Sequence, residues 1–395
     1  MNVLLSFQSV IRGVGSVLLA IGILLVMVMI HEFGHYLAGK ILRFKINEFS
    51  VGFGPALFKK KSKRTGEEFS LRLIPLGGYC AFEGEDEREE EETLAKPFAE
   101  LEENSEQAKG EEGAQEEKGV RFNDQAPWKR IIVLIAGATM NYLLAVSLII
   151  LMFASVGRPI FTVWEAPVEG EVSTLASHEE EVGLIAGDKI VKVNGDRVYL
   201  VTDYMDALRG KKQGDSVKIV VLREVDGKSK EVTVEVVLTC DANFASMSDT
   251  NKLLVALGLD GLYTTTEKQG WYSVPYAFEY SVKIGGVVLR SLGELLTGRL
   301  GLDSIGGPIT TIKITSQQAS SGAFGFLNIA AFIGVNLAVF NLLPIPALDG
   351  SKVIFCLIEW IRKKPLNRKV ETMIHFIGII FLFAFAILVD LLQFF

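Results

Sequence analysis

Cysteine is scarce in this chain. Its 395 residues hold three, Cys80, Cys240 and Cys356. They lie far apart and lack the short spacings that clamp a metal, so neither a disulfide framework nor a cysteine zinc site is expected. No basic patch interleaved with aromatics occurs, which leaves nucleic-acid binding without support. Histidine is also rare, with four residues in all. The net charge of −7 says little about partners, because the acidic residues are heaped into one stretch.

What the chain has in quantity is apolar residues. They make up 49% of it, and mean hydropathy is +0.33 although 22% of residues are charged. Such averages arise when apolar spans alternate with charged loops. Four stretches, at about 14–38, 131–156, 325–347 and 371–394, approach the roughly 20 residues needed to cross a bilayer. The first is too long for a cleaved signal peptide, lacks a small-residue cleavage site and runs directly into HEFGH. The expected fold is a polytopic α-helical membrane protein of about four transmembrane helices. In domain terms these are 1–45, 126–157, 325–350 and 366–395.

Lys and Arg set the orientation. Lys40, Arg43 and Lys45 follow the first span, with Lys59, Lys60, Lys61, Lys63 and Arg64 soon after. Lys129 and Arg130 precede the second span, and Arg362, Lys363, Lys364, Arg368 and Lys369 lie between the third and fourth. All fall on one side if both termini lie outside, which puts 157–324 outside as well.

Between the spans, residues 46–82 carry short β-prone runs broken by Gly, Pro and a basic turn, which predicts membrane-associated β-hairpins. The acidic part of 83–125, residues 83–118, has almost no large apolar side chains and is expected to be a flexible, solvated cytoplasmic tether. Residues 160–265 alternate β-branched runs with turns such as AGD, VNGD and DGKSK, and predict a soluble β-rich domain. Residues 270–300 read as an amphipathic surface helix.

The chemistry concentrates in His31-Glu32-Phe33-Gly34-His35. On a helix, residues four apart share a face, so both imidazoles reach one metal ion, and Glu32 beside them can act as general base. Ionisable groups inside an apolar span are costly, about 2.5–3.5 kcal/mol for a central charge, so packing alone explains them poorly. A catalytic zinc takes three protein ligands and one open position. His178 is expected in the outside domain, and His375 reads as a helix-packing histidine. Asp349, in NLLPIPALDG, is the better third ligand, because Pro344 and Pro346 break the helix before it. The plain alternative is that Asp349 caps a helix end.

HEFGH, NLLPIPALDG and GLIAGDKIVKVNG together resemble the site-2 protease family of intramembrane metalloproteases, in the branch of the bacterial regulator of sigma-E protease. GFG at 52–54, RLIPLGGY at 72–79, APWKRIIVLIAGATMNYLLA and GGPI at 306–309 extend the resemblance over nearly the whole chain. It implies Zn2+ held by His31, His35 and Asp349, with Glu32 as catalytic acid/base. Asn341 would position the substrate strand or stabilise the oxyanion, and Asn336 would serve packing. The hairpins would hold an extended substrate by strand addition, and 160–265 would be one PDZ domain that binds substrate or peptide ends. The implied place is the bacterial inner membrane, in contact with lipid, with the active site toward the cytoplasm. The implied substrates are single-span membrane proteins, such as trimmed anti-sigma factors or signal-peptide remnants. The chain departs from the pattern in having Gly350-Ser351 where two glycines are common. Two other readings stand beside this one: a membrane zinc protease acting on soluble substrates, and a non-catalytic adaptor working through its PDZ domain.

Overall fold

Between Gly13 and Gly39 the only His, Asp, Glu, Lys or Arg residues are His31, Glu32 and His35, and this run forms part of one unbroken helix, α1 (Asn2–Ile41). The computed structural model of the chain describes residues 2–85, 119–164, 184–225, 227–244, 250–259, 261–302 and 306–394. The tether expected at 83–118 lies outside these from residue 86 onward, as does His178. Two compact units are present, residues 1–145 with 306–395, and residues 146–305.

Among the described residues, four helices are long and apolar enough to cross a membrane: α1, α2 (Pro127–Ser155), α7 (Ala323–Asn341) and α9 (Arg368–Phe394). Proline at the first position of α2 costs nothing, because that N–H has no helical partner. The third span is shorter than expected. The helix stops at Asn341, since Pro344 and Pro346 cannot donate and push the residues before them out of helical geometry. Asp349 therefore does not end the span but begins a separate helix, α8 (Asp349–Arg362). The sequence reading also lacks α6 (Pro308–Ala319), a short polar helix whose first turn donates from the N–H groups of Ile309 and Thr310 to the buried Asp390 of α9, at 3.0 and 3.3 Å.

The β-prone runs at 46–82 form β1 (Ile46–Lys61) and β2 (Glu68–Phe82) of one sheet rather than separate hairpins. Glu48–Val51 is paired twice, to Gly78–Ala81 and to Glu68–Leu71, while Ala56–Lys61 pairs with Glu68–Arg72. This requires each strand to fold back on itself. Gly52 and Gly77 take φ of 87° and 126° at the bends, conformations a side chain disfavours, which is the physical content of the GFG and LGGY motifs. The sheet exposes the apolar side chains of Phe53, Leu57, Phe58, Leu71 and Leu73. Glu48 accepts from Ser70, from Arg72 at 2.7 Å and from Tyr79 at 2.7 Å. Burial favours the neutral form of Glu48, but these donors outweigh it and hold the carboxyl below its usual range.

In the second unit the strands follow the order β7-β6-β4-β3-β8, comprising β3 (Arg158–Val163), β4 (Lys189–Val193), β6 (Ser216–Val225), β7 (Lys228–Val237) and β8 (Leu262–Glu267). The short β5 (Asp196–Arg197) folds back on β4 through Asn194-Gly195, with φ of 51° and 95°, the two-residue turn that Asn-Gly favours. Helices α3 (Val201–Leu208) and α4 (Thr250–Leu257) cover a core of Ile190, Val193, Tyr204, Leu208, Ile219 and Leu253. The amphipathic helix read at 270–300 is α5 (Ser273–Leu296), joined to α3 by an Arg290–Asp206 ion pair at 2.5 Å.

Candidate metal centre and catalytic site

One turn of α1 carries both imidazoles. Their ring centroids lie 4.7 Å apart at 85°, and the two Nε2 atoms are 3.2 Å apart. The carboxylate of Asp349 completes the group. Its Oδ2 lies 3.0 Å from His31 Nε2 and 3.3 Å from His35 Nε2. Residues more than 300 positions apart in sequence are thus brought to one point, and both histidines are buried.

The donor set suits zinc. Ligand distances of about 2.0–2.2 Å in a tetrahedron put the ligand atoms about 3.3–3.6 Å from one another. The observed separations of 3.0, 3.2 and 3.3 Å lie at or a few tenths of an ångström below this range, and all three ligand atoms lie within 4.8 Å of one another. The outer partners fit as well. His35 Nδ1 lies 2.8 Å from the carbonyl of Val133, which can only accept, so Nδ1 carries a proton and Nε2 is the ring atom turned toward a metal. His31 Nδ1 meets the side-chain amide of Asn341 at 3.4 Å. Asn341 thus touches a ring of the ligand group directly, a contact beyond the one to substrate or oxyanion expected of it.

Each element is held for this purpose. A Cβ added at Gly137 of α2 would lie 2.4 Å from His35 Nε2 and 2.7 Å from His31 Cε1, so only glycine lets α2 cross against both rings. Ala347, in the unwound stretch, takes a φ of 80° and donates its N–H to His375 Nδ1 at 3.2 Å. His375 therefore supports the turn that presents Asp349 and is not part of the ligand group. Gly350 packs with no room for a side chain, since a Cβ there would meet the Leu343 carbonyl at 2.3 Å.

Beside the cluster lies a cavity of about 390 Å³, lined by Glu32, His35 and Asp349 on one side and by Tyr79, Cys80 and Lys352 on the other. The backbone N–H of Cys80 donates to the Glu32 carboxylate, and a Cβ at Gly78 would sit 3.5 Å from Glu32 Cγ. The strand Gly78–Phe82 thus passes directly over the proposed base. Glu32, His31, His35, Asp349 and Asn341 all gather here, whereas Asn336 enters none of these contacts. Gly137, Val133 and Lys352 belong to the site without having been singled out. The small residues of AGATMN were the available sign for Gly137.

A profile described as peptidase family M50 matches residues 19–385. The regulator of sigma-W protease RasP of Bacillus subtilis is 29% identical, over 90% of this chain and 92% of its own. The zinc metalloprotease RasP of Bacillus licheniformis is 28% identical over 90% and 93%. A putative zinc metalloprotease of Agrobacterium fabrum is 30% identical over 90% and 89%.

Proposed function

The chain belongs to peptidase family M50 and is a zinc metalloprotease of the membrane, and we propose that His31, His35 and Asp349 hold its zinc while Glu32 is its acid/base. The observation that carries this is the convergence of three ligand atoms, 3.0–3.3 Å apart, at a cavity that Glu32 also lines. When bound, zinc supplies a Lewis acid that acidifies water and polarises the scissile carbonyl. Glu32 removes a proton from the attacking water and returns it to the leaving amine. Val133 and Asn341 keep the two imidazoles turned toward the centre, and Asn341 can also donate to developing negative charge on the substrate oxygen.

A helical substrate hides its carbonyls in internal hydrogen bonds and must unwind before attack. We propose that the unwound segment adds as a strand to Gly78–Phe82, of which Tyr79–Phe82 line the cavity, with the exposed apolar side chains of the sheet seated in lipid. The substrates are single-span membrane proteins, with trimmed anti-sigma factors and signal-peptide remnants as the classes to test. The sheet of the second unit serves as a PDZ domain that screens the outside portion of a substrate. In this reading it and both termini lie outside and the active site faces the cytoplasm, in the inner membrane of a bacterium; the three Lys/Arg clusters support that orientation. An adaptor role leaves Glu32 and the converged ligands without a task.

The test is cleavage of a model single-span substrate in proteoliposomes. Cleavage is expected to stop when a chelator strips the metal and to resume on adding zinc at stoichiometric level. Cleavage that continues in the metal-stripped protein would overturn the reading.

A further inference from the structure

Next to the catalytic cavity, and sharing Glu85, Leu134 and Lys352 with it, lies a second cavity of about 670 Å³. Its size falls within the roughly 300–1,000 Å³ typical of ligand sites. One end is basic. Arg130, Lys352, Arg368 and Lys369 line it. Arg130 stands in the first turn of α2, and Arg368 and Lys369 stand in the first turn of α9. Both helices are of membrane-spanning length, so these side chains sit at the level of lipid head groups.

The charges there are not fully matched. Arg130 Nη2 donates to Glu359 at 2.6 Å, and Arg368 is shared between Glu359 at 3.0 Å and Glu371 at 2.8 Å. Lys352 pairs with Glu85 at 2.7 Å. Lys369 is exposed, and among the described residues its ammonium has no ion pair. Four cations thus face three carboxylates. Arg130 is 4% exposed, yet its Nε and Nη1 have no hydrogen-bond partner among the described residues. A buried guanidinium with free N–H groups is costly unless an anion answers it, and phosphate oxygens match its planar fork.

The other end is apolar. Met373, Phe376 and Ile379 follow one another along one side of α9, line the same cavity and are 56%, 51% and 45% exposed. A soluble anion has no use for such a wall, whereas the acyl chains of a lipid do. We propose that this cavity binds an anionic phospholipid, with its phosphodiester on Arg130, Arg368 and Lys369 and its first acyl carbons against Met373, Phe376 and Ile379. Basic pockets between transmembrane helices take such head groups through this combination of charge and hydrocarbon contact. The site is distinct from the zinc ligands and stands whatever peptide the protease cuts.

Native mass spectrometry of the full-length protein in detergent, titrated with phosphatidylglycerol or phosphatidylcholine, tests it. The wild type is expected to retain phosphatidylglycerol preferentially. Lys369→Gln, an exposed change that leaves the fold intact, is expected to weaken that binding roughly fivefold, about the worth of one basic residue at a membrane surface. A double variant, Arg130→Gln with Glu359→Gln, removes the buried pair without stranding a charge and is expected to weaken it at least as much. Equal retention of both lipids by the wild type, or an unchanged preference in Lys369→Gln, would overturn the proposal. Displacement of phosphatidylglycerol by millimolar inorganic phosphate would also overturn it, because the basic end would then serve a soluble anion.

Discussion

Replacing Glu32 by glutamine is expected to lower cleavage of a single-span substrate by about 10²–10⁴-fold, the usual worth of a positioned general acid/base, while zinc content stays at the wild-type level. The two side chains have the same shape, and the amide oxygen of glutamine can still accept from the Cys80 N–H that now meets the carboxylate. What glutamine cannot do is take a proton from water or hand it to the leaving amine. Packing around the two imidazoles is untouched, because His31 meets Asp349 and Asn341, and His35 meets Asp349 and Val133, without help from Glu32. Cleavage and bound metal, measured on the same preparation, separate the two roles. A variant that cuts at the wild-type rate would remove Glu32 from the chemistry, and one that loses its zinc as well would make it a structural residue.

Asp349→Ala is expected to act earlier, on the metal itself. The carboxylate is the third atom of the cluster and the only anionic one. Loss of an outer partner of a metal ligand costs about 10–100-fold in affinity, and loss of a ligand should exceed that. Zinc is therefore expected to dialyse out of this variant against a weak chelator that leaves the wild type loaded, and cleavage should fall below detection. Alanine fits at this position, since it continues the first turn of α8 and fills no more space than the side chain it replaces. Full zinc retention by Asp349→Ala would mean that the third ligand lies elsewhere.

The parts of the fold and site set by local rules were legible in the sequence. HEFGH places two imidazoles on one helical face whatever the tertiary structure, and apolar runs of bilayer length announce themselves. Pro344 and Pro346 announced an irregular stretch for the same reason, because missing donors forbid helix locally. Where that stretch ended was not legible. The prolines explain why α7 stops at Asn341, but only packing against α9 decides that a new helix starts at Asp349, with His375 holding the Ala347 N–H.

Long-range pairing was equally hidden. The β-prone runs at 46–82 predict hairpins, but periodicity cannot show that Glu48–Val51 is paired on both edges. The approach of Gly137 to His31 and His35, and the buried Arg130–Glu359 pair at 2.6 Å, join positions on different helices. A single sequence records such meetings only as a small residue or a charge in an odd place.

The most direct test of the metal centre is X-ray absorption at the zinc edge of the purified, zinc-loaded protein. Two histidines, one carboxylate and an open position predict a shell of nitrogen and oxygen at about 2.0–2.2 Å, with imidazole scattering beyond it and no sulfur. A sulfur contribution near 2.3 Å would place a cysteine on the metal, with Cys80 of the catalytic cavity the nearest candidate, and would contradict the ligand set proposed here.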